Sequence, residues 1–567
     1  MLHFYDHPFI VPQNYLGFFQ TLSFHVCLIA KHQDRKLKVV RRDTFMELKN
    51  IDKIDSVVSA QQNEFVRLGA GLVFMLGIIL YVVLDSQGMK GSFVLTISAM
   101  IGGYMAMNIG ANDVANNVGP AVGSKALTLT GAIIIAAIFE AAGALVAGGE
   151  VVSTIKKGII DPSNITETST FIWLMVAALL SAAVWLNLAT VFGAPVSTTH
   201  SIVGGVLGAG IAAGGFGIAN WSKMGAIASS WVISPVLGGV IAVAFLFFIK
   251  KKIIYQADML GAARKYVPIL IALMAWAFST YLALKGLKKI YKMDFQTAAT
   301  GGAVIATIFY LVTQPLISRA SKKLENNREG VNSLFTIPLI FAAALLSFAH
   351  GANDVANAIG PLAAITDSIT NAGISTKASI PLWVMMIGAL GIALGLTLYG
   401  PKLIKAVGSE ITELDKSRAF CVAMAASITV IIASQLGLPV SSTHIAVGGI
   451  FGVGFLREYL KTSYASKLHK ILDHHEGDER ARIQTFLNNF KNASVEDMES
   501  MLKDAKKNKA ELGLSKKERK RLKKVYGEKL VKRSAFKKII AAWLITVPVS
   551  GSLAAAVFLM LKDLPIS

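Results

Sequence analysis

One eleven-residue stretch occurs twice in this chain, first as Gly110-Ala-Asn-Asp-Val-Ala-Asn-Asn-Val-Gly-Pro120 and again as Gly351-Ala-Asn-Asp-Val-Ala-Asn-Ala-Ile-Gly-Pro361. The copies are 241 positions apart and share nine of eleven residues. A second pair of blocks, Ala194-Pro-Val-Ser-Thr-Thr-His-Ser-Ile-Val-Gly-Gly205 and Leu438-Pro-Val-Ser-Ser-Thr-His-Ile-Ala-Val-Gly-Gly449, lies at a similar offset of 244. Similarity at a nearly constant offset indicates an internal duplication. The sequence therefore predicts a fold built from two copies of one unit.

The composition around these blocks is that of a membrane protein. The 567 residues are 53% hydrophobic, with a mean hydropathy of +0.55. Apolar stretches long enough to cross about 30 Å of hydrocarbon recur along the chain. They predict an all-helical polytopic membrane protein with about 12 to 13 spans, the clearest of them in residues 68–84, 131–148, 171–192, 226–249, 297–317, 381–399 and 539–561.

The net charge of +21 follows the loops rather than any nucleic-acid-binding motif. Lys and Arg crowd before Leu68, at residues 250–252 and 319–328, and within 457–538. Such a bias is typical of cytoplasmic loops, so we expect lipid rather than nucleic acid as the partner. The two cysteines, Cys27 and Cys421, predict neither a disulfide nor a metal site.

The charges that follow each second block indicate opposite orientations of the two copies. Residues 211–225 hold one lysine and 250–252 hold three, whereas 457–538 is dense in Lys and Arg and only Lys562 follows the last span. Because positive charge favours the cytoplasm, this reversal predicts inverted-topology repeats. The N-terminus would be cytoplasmic and the C-terminus outside, in a plasma membrane that we expect to be a bacterial inner membrane.

The predicted segments follow from these patterns. No secretory signal peptide is predicted, and translation could start at Met46. We expect a basic N-terminal tail, one extra span, repeat 1, linker spans with a basic loop, and repeat 2 with a cytoplasmic helical insertion. Their boundaries are 1–66, 67–91, 92–250, 251–330, 331–567 and, for the insertion, 457–538.

Buried acids and amides mark the first pair of blocks. Asparagine, aspartate and asparagine occupy positions i, i+1 and i+4 of each copy. Burying a carboxylate at membrane depth costs at least about 2.5 kcal/mol, so such a residue is retained where it binds an ion or lines a water-filled cavity. The alternative is a polar cluster that holds helices together. The candidate residues are Asn112, Asp113 and Asn116 in copy one and Asn353, Asp354 and Asn357 in copy two.

Glycines and prolines predict interrupted helices at both kinds of block, because proline lacks a backbone donor and glycine tolerates unusual dihedrals. In the second pair, consecutive hydroxyl residues follow a proline. A helix that starts there presents free N–H groups and a positive dipole end, which suits an anion, although simple N-capping is the alternative. Together with Asn112, Asp113, Asn353 and Asp354 of the first pair of blocks, these hydroxyl residues are the candidate anion-binding residues: Ser197, Thr198, Thr199, Ser441, Ser442 and Thr443.

None of the four blocks contains Lys or Arg, so bound cations must offset the charge of an anion there. Asp113 and Asp354, with Asn116 and Asn357, offer oxygen ligands suited to Na⁺. Glu140 lies in mid-span and could be a further cation or proton site or a structural carboxylate. We expect His200 and His444 to hydrogen-bond behind the ligands rather than to bind a metal.

Phosphate fits this site better than sulfate. The hydrogenphosphate ions carry a proton that a carboxylate accepts, whereas sulfate has none. Leaving a buried acceptor without a partner costs about 1 to 3 kcal/mol, which is enough to discriminate. The sequence predicts no catalysis and no cofactor beyond the coupling ion, Na⁺ or H⁺.

The four blocks closely resemble those of the inorganic phosphate transporter (PiT) family, whose hallmark is a duplicated Gly-Ala-Asn-Asp-Val-Ala-Asn motif. The resemblance extends from about Ser92 to the end of the chain, and includes Glu140 with Thr154-Ile-Lys-Lys-Gly-Ile159. It implies an inverted-repeat fold, a central phosphate, Na⁺ or H⁺ as the driving ion and a homodimer. Alanine at position 423 departs from an acidic residue common in the family, which bears on the number or identity of coupled ions.

Several alternatives stay open at this point. An intramembrane aspartyl protease would also bury two aspartates, but it leaves the Ser-Thr-His blocks unexplained. A passive anion channel would conduct without a cation gradient. Another cargo of the same fold, such as sulfate, a different oxyanion or a metal-phosphate complex, is the nearest rival. The prediction is a secondary transporter that imports inorganic phosphate by symport with Na⁺ or H⁺.

Overall fold

A computed structural model describes the fold of the protein. The chain divides into two compact units, residues 1–70 and 71–567. In the first unit only residues 44–70 are described, and they are helical. The predicted N-terminal tail up to residue 43, with Cys27, and most of the 457–538 insertion lie outside the described residues, which are 44–165, 167–192, 196–286, 291–374, 380–410, 414–460, 477–492, 500–501, 504–505 and 533–566.

The regular elements in this described part are all helices. This confirms the predicted all-helical class. They are α1 (Thr44–Asp85), α2 (Ser92–Asn112), α3 (Val114–Gly123), α4 (Leu129–Ala147), α5 (Gly149–Lys157), α6 (Thr168–Val191), α7 (Thr198–Gly214), α8 (Trp221–Ile249), α9 (Met259–Tyr281), α10 (Phe295–Ser321), α11 (Arg328–Leu334), α12 (Thr336–Thr370), α13 (Leu382–Glu410), α14 (Lys416–Gln435), α15 (Ser442–Leu460), α16 (Gly477–Asn492) and α17 (Arg533–Leu561).

Eleven helices in the described residues are long and apolar enough to cross a membrane, against the predicted 12 to 13. Helix α7 has only 17 residues and is not among the eleven. The burial of the spans differs sharply. The helix Thr336–Thr370, which carries the second Asn-Asp block, has 89% of its most apolar window buried, whereas Phe295–Ser321 has 11%. The block-bearing helices therefore form the core, and the linker spans lie at its edge.

The two Asn-Asp blocks differ in backbone. In copy one the helix is interrupted at Asp113, which ends α2 and precedes α3. In copy two α12 runs through Asp354 without a break. Each copy keeps its proline inside a helix, at Pro120 and Pro361. Proline cannot donate to the carbonyl four residues earlier, so backbone oxygens beside the block are released in both copies.

The second pair of blocks opens the return helix of two helical hairpins. Helix α6 packs on α7, and α14 packs on α15. The second hairpin turns at Gly437, whose φ of +63° is a conformation that glycine adopts without strain. Both return helices start at the hydroxyl residues, as the sequence predicts.

Glycines set equivalent helix crossings between the two copies. A Cβ added to Gly110 would collide with the carbonyl oxygen of Ile392, and one added to Gly351 would collide with that of Glu140. Small residues let backbones approach this closely inside a membrane. Because Gly110 and Gly351 are equivalent in sequence, Ile392 and Glu140 are equivalent in space. Two more pairs of contacts correspond in the same way. The contact of Gly143 with Phe348 corresponds to that of Gly395 with Met107, and the contact of Gly208 with Gly551 corresponds to that of Gly452 with Gly239.

Candidate functional site

The four blocks meet in one buried cluster. The helix interruption at Asp113, the middle of α12 and the starts of α7 and α15 supply its side chains. Burial is nearly complete, since each of these side chains is at most 5% exposed. The predicted residues brought together in this way are Asn112, Asp113, Asn116, Glu140, Ser197, Thr198, Thr199, His200, Asn353, Asp354, Asn357, Ser441, Ser442, Thr443 and His444.

Each aspartate accepts a hydrogen bond from the hydroxyl block of its own copy. Thr198 Oγ1 donates to Asp113 Oδ2 at 2.8 Å, and Ser442 Oγ donates to Asp354 Oδ2 at 3.1 Å. Thr443 Oγ1 also donates to Asp113 Oδ1 at 3.3 Å. These hydroxyls face the carboxylates, so a ligand that they bind would lie directly against the aspartates.

The second asparagine of each block reaches across to the other copy. Asn116 Nδ2 donates to Thr443 Oγ1 at 2.9 Å. Asn357 Nδ2 lies 3.1 Å from the hydroxyl oxygens of both Thr198 and Thr199. These bonds tie each block-bearing helix to the hairpin of the opposite copy.

The first asparagine of each block holds its neighbouring hairpin instead. Asn112 Nδ2 donates to Thr190 Oγ1 at 2.9 Å. The side-chain amide of Asn353 lies 2.9 Å from Ser434 Oγ. In the orientation that gives both amide atoms a partner, its oxygen accepts from Ser434 Oγ and its nitrogen donates to Asp354 Oδ1 at 3.1 Å. Thr190 and Ser434 are 244 positions apart and are equivalent, and neither was predicted from the sequence.

Ser197 and Ser441 are helix caps in this structure. Ser197 Oγ accepts from the backbone N–H of His200 at 3.1 Å, and Ser441 Oγ accepts from that of His444 at 3.3 Å. This is the N-capping alternative considered for the hydroxyl blocks. The two histidine rings lie edge to face with centroids 4.6 Å apart, and the ring of His200 also packs on Trp231 at 3.9 Å.

A second polar chain runs from the cluster to Glu140. His350 joins two carboxylates, with Nδ1 2.6 Å from Glu140 Oε2 and Nε2 2.7 Å from Asp354 Oδ2. Asn117 Nδ2 donates to the other Glu140 oxygen at 2.8 Å. Of these three residues, Glu140 was predicted from the sequence as a candidate, and His350 and Asn117 were not. The available signal was a histidine directly before the Gly351 block in an otherwise apolar run.

The cluster has the donor set of a small hard cation. Carboxylate oxygens of Asp113 and Asp354 and a ring nitrogen of His350 lie within 4.8 Å of one another. The amide oxygens of Asn112 and Asn357 are buried and accept no hydrogen bond from any described residue. Oxygen ligands of this kind suit Na⁺ or another hard cation. In the described part of the chain neither aspartate forms an ion pair with Lys or Arg.

A sequence profile described as "Phosphate transporter family" matches residues 109–554, which include all four blocks. The chain belongs to this family. A predicted phosphate permease of Helicobacter pylori strain J99 is 52% identical over 526 residues, which cover 91% of this chain and 99% of the relative. A predicted phosphate permease of Thermococcus kodakarensis is 39% identical over 365 residues, which cover 64% of this chain and 89% of the relative.

A solved structure titled "The sodium-dependent phosphate transporter" superposes on this member of the phosphate transporter family with a TM-score of 0.68 and 30% sequence identity. The match covers 83% of this chain and 100% of the solved one. Family and fold together identify an integral membrane protein, and they indicate a permease rather than an enzyme.

Proposed function

We propose that this phosphate permease imports inorganic phosphate by symport with a cation, with Na⁺ favoured over H⁺. One observation carries the proposal. Asp113, Asp354 and Glu140 bury three carboxyl groups in and beside the cluster, and His350 is the basic side chain among them. An anion entering this site meets negative charge, and a charge inside a membrane must be offset nearby. Bound cations therefore have to accompany the phosphate.

The cation ligands in this proposal are Asp113, Asn116, Asp354 and Asn357, with Glu140 as a further cation-coupling group behind His350. The buried amide oxygen of Asn357, which accepts no hydrogen bond within the described part of the chain, supports this assignment. The solved relative is called sodium-dependent, which favours Na⁺ as the coupling ion. Na⁺ also suits a shell made of carboxylate, amide and hydroxyl oxygens.

The phosphate ligands in this proposal are the hydroxyls and backbone N–H groups at the two return-helix starts, with Asn112 and Asn353 at the edge of the site. Thr198, Thr199, Ser442 and Thr443 would turn their hydroxyls from the aspartates and amides to the anion. Two opposed helix starts add positive dipole ends on both sides of the anion. The aspartates would accept the proton that distinguishes hydrogenphosphate from sulfate.

Equivalent helix crossings in the two copies support a fold made of inverted repeats. Equivalent glycines lie at the crossings of α2 with α13 and of α4 with α12, and again at those of α7 with α17 and of α8 with α15, which is the pattern of two related halves. We propose that the hairpins enter from opposite membrane faces, that the N-terminus is cytoplasmic in a bacterial inner membrane, and that the protein is a homodimer. The predicted segment boundaries belong to the same proposal.

Uptake of labelled phosphate into proteoliposomes tests the function. An imposed Na⁺ gradient should drive accumulation, a pH gradient alone should drive less, and excess sulfate should not compete. Asp113→Asn and Asp354→Asn should abolish accumulation while the protein stays inserted, because each removes a cation ligand and a proton acceptor. Gly301→Ala is the matched control, since nothing lies within 4 Å of its added Cβ.

Three results would contradict the proposal. Accumulation by both aspartate variants at the control rate would remove the cation site from the mechanism. Phosphate flux that persists without any cation gradient would indicate a channel. Sulfate uptake that competes with phosphate would indicate another oxyanion as cargo.

A further inference from the structure

Helix α5 is short, but its side chains make polar contacts with two other parts of the core. Thr154 Oγ1 donates to the backbone carbonyl oxygen of Gly437 at 2.6 Å. Two residues further on, Lys156 Nζ lies 2.7 Å from Asp367 Oδ2, and both side chains of this ion pair are more than nine-tenths buried. The two contacts join α5 to the turn of the second hairpin and to the last turns of α12.

The turn of the second hairpin, residues 436–441, is the hairpin tip, and it is held through its backbone carbonyls. Side chains of three helices donate to carbonyl oxygens of this tip, from α5 to Gly437, from α8 to Pro439 and from α7 to Val440. Carbonyl groups in a buried turn need such partners, because no helix supplies them. The tip leads directly into α15, whose first hydroxyls belong to the proposed phosphate site. Its position therefore decides where those hydroxyls lie. The three donors are Thr154, Trp231 and Thr199.

The contacts of α5 lie on one side of the aspartates. Ile155 packs against Gly360, since a Cβ added to Gly360 would lie 2.7 Å from Ile155 Cγ2. Gly360 is six residues past Asp354 in α12, which is about 9 Å along the helix axis. Asp367, the partner of Lys156, lies two turns further on, close to the exposed end of that helix. Helix α5 therefore covers the side of the site that faces the end of α12.

The same face of the bundle carries the loop before α8. The backbone N–H of Asn220 donates to the carbonyl oxygen of Ile159 at 3.0 Å, just beyond the end of α5. The proposed topology places this loop outside the cell, because it carries little positive charge. The contacts of α5 thus lie between the site and the proposed outer face. Leu436 of the hairpin tip is 65% exposed, so the described part of the protein leaves room beside the tip.

We propose that Thr154 is a positioning residue for transport, whose hydrogen bond to Gly437 holds the hairpin tip closed over the α5 side of the site. The bond breaks when phosphate passes on this side, and it forms again before the site opens on the opposite side. Lys156 and Asp367 keep α5 fixed on α12, so the hydroxyl of Thr154 stays in place while the tip moves. This inference rests on the proposed function of the protein as a phosphate transporter.

A reversible cross-link tests whether the hairpin tip has to leave α5. Thr154→Cys with Gly437→Cys, in a Cys27→Ser and Cys421→Ser background, places two thiols within bonding reach, because a Cβ added to Gly437 would lie 3.5 Å from Thr154 Oγ1. Oxidation should abolish Na⁺-driven phosphate uptake into proteoliposomes, and a reductant should restore it. Each single cysteine variant, oxidised in the same way, is the control and should keep its rate.

The outcomes of this experiment separate the inference from the proposed function. Uptake that persists when mass spectrometry shows complete cross-linking would overturn the inference, because transport would then not require the tip to move. Absence of phosphate uptake by the wild-type protein and by the reduced pair would instead contradict the proposed function.

A second variant tests the same hydrogen bond without changing the glycine at the turn. Thr154→Val removes the donor, which should reduce the population of the closed arrangement about fivefold to 150-fold relative to the open one. The maximal uptake rate should fall at least about fivefold, while phosphate affinity in calorimetric titration changes less than about threefold, because Thr154 is not a proposed phosphate ligand. Thr154→Ser keeps the hydroxyl and should recover most of the rate. A wild-type rate in Thr154→Val, or equal losses in both variants, would overturn the proposal.

Discussion

The two aspartates at the centre of the molecule occupy equivalent positions but have different surroundings. Both accept a hydrogen bond from the hydroxyl block of their own copy. Asp354 is joined through His350 to Glu140, and Glu140 is joined to Asn117. Asp113 has no corresponding chain in the described structure.

The positions equivalent to that chain are apolar. His350 corresponds to Ile109, 241 positions earlier, and Asn117 corresponds to Ala358. Glu140 corresponds to Ile392, because each packs its carbonyl oxygen against the equivalent glycine of the opposite copy. Ile109, Ile392 and Ala358 are fully buried.

The comparison separates the shared part of the site from the part that one copy alone has. Aspartates, hydroxyls and amides recur in both copies, so they suit a ligand bound between the two copies. The His350 chain adds one carboxyl group and one imidazole on one side only. We infer that the main role of this chain is to set the charge balance of the site, and therefore the coupling of phosphate to the cation, rather than to contact the anion.

The largest expected effect comes from breaking the asymmetric chain. Glu140→Gln keeps the shape of the side chain but removes its charge from a buried pair with His350. Removing one partner of such a pair costs about 3 to 5 kcal/mol, so we expect cation-driven phosphate uptake to fall by more than about 100-fold. Initial uptake rates in proteoliposomes measure this, normalised to inserted protein.

The matched control is the equivalent apolar position. Ile392→Leu should leave uptake within about tenfold of wild type, because volume-conserving core changes cost less than about 1.5 kcal/mol. Equal losses in the two variants would mean that Glu140 acts through packing alone, and the charge-balance interpretation would fail.

A smaller effect should appear at the hydroxyls that the copies share. Thr198→Ala and Ser442→Ala each remove one of the hydroxyls that we propose bind the anion. We expect each to raise the half-saturating phosphate concentration by about 10- to 150-fold, as loss of a charge-assisted hydrogen bond does. Thr198→Ser keeps the hydroxyl and should retain affinity. Unaltered affinity in both alanine variants would make these hydroxyls structural and place the anion elsewhere.

Much of the site could be predicted because the duplication marks it twice. A single polar residue in an apolar run has many possible explanations. Asp113 and Asp354 occupy equivalent positions in both copies, which favours one common role for the two residues. The exchange of hydrogen bonds from Asn116 to Thr443 and from Asn357 to Thr199 was not predictable. These hydrogen bonds depend on how the two copies pack against each other, and the spacing of the repeats in the sequence does not reveal that packing.

His350 was missed for a related reason. It has no histidine at the equivalent position, and its partner Glu140 is 210 positions away, so neither residue signals the other in sequence. The break at Asp113 was expected in both copies but occurs in one, although the glycines and proline are the same. The glycines and the proline that the two blocks share therefore do not by themselves determine helix continuity, and the packing around each copy differs.

The smallest expected effect concerns the equivalent helix crossings. Gly110→Ala and Gly351→Ala each push a methyl group into a backbone carbonyl that no rotamer change can relieve. We expect each to destabilise the protein by about 1 to 3 kcal/mol, with similar losses in the two copies. Thermal unfolding in detergent measures this. Gly301→Ala should unfold like wild type, and a large effect at only one crossing would show that the copies do not pack equivalently.

The most direct test of cation coupling is the thermodynamic link between the two ligands in purified protein. Calorimetric titration of phosphate at several Na⁺ concentrations should show that Na⁺ tightens phosphate binding, and titration of Na⁺ should show the same factor from phosphate. Asp113→Asn should remove the link. Phosphate affinity that is independent of both Na⁺ and pH would contradict the account, because three buried carboxyl groups would then bind an anion without a compensating cation.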